Sequence, residues 1–134
     1  MTELLKIEGI GEKYADKFKT IMVTTVEELL EKGATPKGRD EMSETTGISG
    51  HLILKWVNHA DLFRIKGIGE EYADLLEASG VDTVPELAQR SPENLHARLI
   101  QENDKRKLVR QVPGLSQVKS WVEQAQNLPR VISY

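Results

Sequence analysis

Apolar residues recur along the chain at helical rather than strand spacing. Tyr14, Phe18 and Met22 lie four residues apart, as do Leu95 and Leu99, which predicts one buried stripe per helix. The period-two alternation of a half-buried strand is nearly missing. Helix starts are marked locally. Thr25 with Glu28, and Thr83 with Glu86, have capping-box spacing, while Thr35-Pro36 and Ser91-Pro92 read as an N-cap followed by proline in the first helical position. The pattern predicts an all-α fold of eight or nine short helices. Only Arg130-Val131-Ile132-Ser133-Tyr134 has extended character, and nothing near it in sequence says what it packs on.

Half of this pattern is written twice. Residues 7–32 and 65–90 align without a gap at an offset of 58 and share 13 of 26 positions, too many for chance. One copy opens Ile7-Glu8-Gly9-Ile10-Gly11 and the other Ile65-Lys66-Gly67-Ile68-Gly69, and both run on into Val-x-Thr-Val-x-Glu-Leu. A fainter second element follows each. Gly47-Ile48-Ser49 leads into a helix around Trp56, and Gly114-Leu115-Ser116 leads into one around Trp121, with Ser available to cap each helix. The two elements are 38 residues apart in the first half and 47 in the second, so the second half carries extra length between Pro92 and Val112. The expected organisation is two related units, residues 1–64 and residues 65–134 with a short C-terminal tail, in one compact body. Matching positions across a duplication make Trp56 and Trp121 core residues. Tyr14 and Tyr72, three residues after a turn glycine, are expected to pack with the hydroxyl at the surface.

Gly-x-Gly preceded by an apolar residue and followed by Ala resembles the helix-hairpin-helix motif of DNA polymerases, ligases and repair proteins. The matching residues are Ile7, Gly9, Gly11, Ala15 and Phe18, and again Ile65, Gly67, Gly69, Ala73 and Leu76. Glycine permits positive φ and close backbone approach, and amides exposed where a helix begins form a site for phosphate. The resemblance implies a grip on the DNA backbone without base readout. Almost the whole chain is also similar to the family called domain of unknown function 4332, through the Gly-Ile-Gly-x-x-Tyr-Ala turn, Thr35 to Arg39 and the helix from Lys55 to Leu62. That similarity implies a tandem helix-hairpin-helix architecture and no biochemical role.

Composition narrows the function. Hydrophobic residues make up 39%, aromatics 5% and charged residues 29%, the balance of a folded helical protein with an aliphatic core. There is no cysteine, which excludes disulfides, thiol nucleophiles and cysteine-based zinc sites. Apolar runs stop at three residues, and no basic segment followed by an apolar one opens the chain, so the expectation is a cytoplasmic protein without membrane contact. His51, His59 and His96 have no metal-ligand spacing, and Walker, Gly-x-Ser-x-Gly and His-Glu-x-x-His motifs are absent. Neither catalysis nor a cofactor or metal is expected.

The net charge of −3 offers no general attraction to nucleic acid, so binding must come from a local patch. Lys13 and Lys17 follow the first turn, whereas Glu70, Glu71 and Asp74 follow the second. The run Lys105, Arg106, Lys107 and Arg110 falls in the stretch that lengthens the second half, with Lys37 and Arg39 a thinner counterpart. Two readings remain. One is sequence-nonspecific binding of DNA or other nucleic acid through the backbone, by Gly9, Ile10, Gly11, Lys13, Lys17, Gly67, Ile68, Gly69, Lys105, Arg106, Lys107 and Arg110. The other is a protein-binding adaptor or scaffold with the acidic second turn in its contact surface.

Overall fold

The computed structural model describes residues 2–134. Among them are eight α-helices, a 3-10 turn at Leu4–Lys6 and an isolated bridge between Glu3 and Thr25. No helix is long and apolar enough to cross a membrane among the described residues. The chain divides into two compact units, one made of the residues up to Asp61 together with Val131–Tyr134, the other of Leu62–Arg130.

The first unit contains α1 (Glu12–Lys19), α2 (Val26–Lys32), α3 (Pro36–Thr46) and α4 (Gly50–Leu62, whose last residue falls in the second unit). Its core includes Ile7, Phe18, Leu29, Ile53, Trp56 and Val57, all buried. At the start of α2, Thr25 Oγ1 accepts from the Glu28 N–H at 3.1 Å and the Glu28 carboxylate accepts from the Thr25 N–H at 3.1 Å, the reciprocal capping box that the spacing predicts. Thr35 caps α3 by accepting from the Gly38 N–H at 3.1 Å.

The tail packs on this unit. Ser133 N–H donates to Ala34 O at 2.7 Å and Ile132 is buried. Arg39, a candidate surface cation by sequence, is instead a buried strut. Its guanidinium donates to Gly33 O at 2.8 Å and Ser133 O at 2.9 Å and lies 5.7 Å from the Tyr134 ring centroid. Tyr134 in turn donates to Asn58 at 3.0 Å.

The second unit contains α5 (Glu70–Ala78), α6 (Val84–Ala88), α7 (Pro92–Arg106) and α8 (Leu115–Gln126). One core of Leu75, Leu76, Leu87, Leu95, Leu99, Val118, Trp121 and others runs through it, with α8 packed on α6 and α7. The extra length goes to α7, 15 residues against 11 in α3, and to the connector that follows it, residues 107–114 against 47–49.

Three expectations need correction. Met22 does not continue the stripe of Tyr14 and Phe18, because α1 ends at Lys19. It stands 78% exposed with a left-handed backbone, φ 62°, where the aligned residue of the second unit is Gly80, φ 89°. Thr83 does not form the capping box: its hydroxyl donates to the Glu86 carboxylate at 3.3 Å and accepts from no helix amide. Ser116 does not cap α8, which starts one residue earlier with Gly114 as its N-cap. Gly114 is therefore not equivalent to Gly47, which ends α3 in the left-handed region at φ 76°. Ser49 does serve its helix, accepting from the His51 N–H at 3.2 Å.

Two predictions follow from these local geometries. A side chain at positive φ is strained and Met22 buries little, so Met22→Gly raises the free energy of unfolding by about 0.5–1 kcal/mol, measured by urea denaturation. Glu28 accepts from the Thr24 N–H and hydroxyl and from the same two groups of Thr25, which holds its carboxyl below the usual 4.5. A lowered folded-state pKa stabilises above the unfolded value, and that gain fades as pH falls through the folded one. Glu28→Gln therefore destabilises at pH 7, and the gap from the parent closes as pH falls below 4.5 and through the lowered folded-state value, measured by urea denaturation across that range.

Candidate functional site

Each Gly-Ile-Gly turn is built the same way. Ile10 N–H donates to Ile7 O at 3.1 Å and Ile68 N–H to Ile65 O at 3.2 Å, closing a four-residue turn. The third residue is Gly9 at φ 95° or Gly67 at φ 100°, where a side chain would be strained. Close approach adds a second demand for glycine. A Cβ on Gly9 would stand 3.1 Å from Trp56 Nε1, and one on Gly67 2.9 Å from Trp121 Nε1. The matched tryptophans are thus floors on which the turns rest. Tyr14 packs edge-on to Trp56 at 5.0 Å between ring centroids, and Tyr72 tilts against Trp121 at 5.3 Å. In the second unit Gln124 also brackets the turn, accepting from Lys66 N–H at 2.9 Å and donating to Lys66 O at 3.2 Å.

The second glycine of each turn has a different use. Gly11 and Gly69 are N-caps of α1 and α5 in extended backbone, and a Cβ on either would meet nothing within 4 Å. Neither helix has a side-chain cap. The N–H groups of Glu12, Lys13 and Tyr14, and of Glu70, Glu71 and Tyr72, accordingly have no acceptor among the described residues. Helices α2, α3 and α7, by contrast, are capped by Thr25, Thr35 and Ser91. Ile10 and Ile68, candidate contacts by sequence, are instead buried anchors whose N–H groups are used within the turn.

The cations divide by unit. In the first, Lys13 is exposed in the first turn of α1, and Lys17 lies with its Nζ 5.8 Å from the Tyr14 ring centroid. In the second, the first turn of α5 is acidic, with Glu70 and Glu71, and the cations come from the far end of α7. Lys105 and Arg106 close that helix, Lys107 is its left-handed C-cap and Arg110 is exposed in the connector. Two contacts that spacing could not reveal shape this connector. Asn103 is buried and clasps Val109, donating to its carbonyl at 3.2 Å and accepting from its N–H at 3.0 Å. Tyr72 hydroxyl donates to Gln111 O at 3.1 Å, which ties the residue after Arg110 to the first turn of α5. Lys119 on α8 lies 3.9 Å from Glu93.

Over residues 8–128 the sequence matches the family described as domain of unknown function (DUF4332). The chain belongs to that family. Comparison with curated proteins and with solved structures gives no match. Both Gly-Ile-Gly turns, both tryptophans and the basic connector fall inside the DUF4332 match, whereas Val131–Tyr134 lies outside it. Among the described residues of this DUF4332 chain no three or more His, Asp or Glu side chains are grouped to hold a metal ion.

The tryptophan floor gives a sharp test. Gly9→Ala and Gly67→Ala meet both the backbone strain and the indole, and lower the unfolding free energy by about 2 kcal/mol or more. Gly11→Ala meets neither and costs about 0.5 kcal/mol as a weaker N-cap. Equal losses at Gly9 and Gly11 in thermal unfolding would refute the assignment.

Proposed function

We propose that this chain is a non-enzymatic helix-hairpin-helix protein that binds the phosphate backbone of nucleic acid without sequence preference. What carries the reading is the uncapped start of α1 and α5: three amides in a row, at the positive end of a helix dipole, over a glycine that leaves room for an anion. A phosphate supplies the acceptors those amides lack. Lys13 and Lys17 add charge beside the first turn. Beside the second, Lys105, Arg106, Lys107 and Arg110 offset the acids of α5, with Tyr72 tethering their connector to the turn.

Fluorescence anisotropy of labelled duplex DNA at low ionic strength, followed by salt titration, tests this. Phosphate binding predicts a log-log slope of several units, about 0.9 per phosphate neutralised. Lys105→Glu combined with Lys107→Glu weakens binding. The acidic first turn of α5 favours a second reading, an adaptor that contacts a basic protein surface; no anisotropy change at high micromolar protein would leave that reading standing and end the first.

A further inference from the structure

Helix α7 carries a pair of arginines whose arrangement the turns do not explain. Arg98 Nε lies 3.2 Å from one carboxylate oxygen of Glu102 and Arg106 Nε lies 3.2 Å from the other. The two arginines are eight residues apart, about 12 Å along the axis, and one carboxylate draws both guanidinium groups together. Their side chains are 53% and 59% exposed, but that of Glu102 is only 8% exposed. Removing a carboxylate from water is costly unless it is fully paired, and a neutral residue would fill the same space more cheaply. An exposed ion pair alone contributes little stability. The arrangement is better accounted for by what it does to the arginines.

We propose that Glu102 is a positioning residue that presents Arg98 and Arg106 as a fork for the phosphodiester backbone, a contact surface that extends the basic run from Arg106 back along α7 to Arg98. Arg106 donates its Nε to Glu102 and Arg98 holds its Nε in ion-pair contact with the other oxygen, so the outer Nη edge of each stays available for the planar, two-point contact that arginine makes with phosphate. The pair keeps a net positive charge, with Lys105 beside it. Arg98 also borders a groove of about 310 Å³ whose lining includes Arg90, Asn94 and Gln101, which continues the polar face toward the start of α7. The inference rests on the nucleic-acid reading.

The test compares labelled duplex DNA binding by the full chain, Lys105→Glu with Lys107→Glu, Arg98→Ala, and Glu102→Gln. Counting charge alone, Glu102→Gln removes an anion and tightens binding. Positioning predicts the opposite sign, an affinity lower by about tenfold, the size of one charge-assisted contact. Arg98→Ala also reduces the salt slope by about 0.9. If thermal melts show that Glu102→Gln does not fold, Arg98→Ala with Arg106→Ala decides, both side chains being more than half exposed: lost affinity supports the fork and unchanged affinity overturns it. Unchanged or tighter binding by a folded Glu102→Gln, with the lysine double variant still weakened, overturns the fork while leaving the nucleic-acid reading intact. No binding by the parent chain overturns both.

Discussion

Each unit is organised by a tryptophan lying under a glycine. An indole is the largest apolar body in either core, and its burial is worth several kcal/mol, about 25 cal/mol per Å² over some 150–250 Å². It can be reached only by a turn with no side chain at its third position. Gly9 and Gly67 meet that demand and adopt a positive φ as they do so. The consequences spread outward. The turn delivers the next helix with its first amides uncapped, the tyrosine one turn along settles against the same indole, and the flanking isoleucines are drawn into the core.

On this shared skeleton the two surfaces have diverged. Lys13 of the first unit aligns with Glu71, Lys19 with Glu77, and Lys17 with Leu75, which is buried. The second unit thus lacks cations on the helix after its turn, and it holds others on a longer α7 and connector. There Asn103, Glu102 and Tyr72 act together. One clasps the connector, one gathers two arginines and one ties the connector to α5. An acidic helix and a basic connector in one unit explain why a net charge near zero says so little about the partner.

The helical class, the duplication and most helix starts were legible in the sequence because they depend on neighbours within four residues. Thr25, Thr35 and Ser91 cap the helices that their spacing announces. Met22 was misread because a period of four says nothing about where a helix stops. The left-handed exit after α1 is visible only when Met22 is aligned with Gly80. Arg39 was misread for another reason. Its acceptors include Ser133 O, 94 residues away, and no local pattern encodes a contact of that span. The glycines of the site could be read directly, but the tryptophan beneath them could be placed only as core. Nothing in the sequence marks Glu102 as a buried carboxylate, since burial cannot be seen in a helix whose neighbours are unknown.

The return of Val131–Tyr134 to the first unit bears on the order in which the protein is made. The second unit is one uninterrupted stretch of chain, whereas the first is assembled from two stretches with the whole second unit between them. On a ribosome, α1 to α4 emerge first but lack the strap whose Ile132 and Ser133 complete them. The unit translated later has all its parts earlier. Closure of the first unit is therefore a long-range event of high contact order that follows synthesis of the second, and until then Arg39 waits with one of its two carbonyl partners unmade.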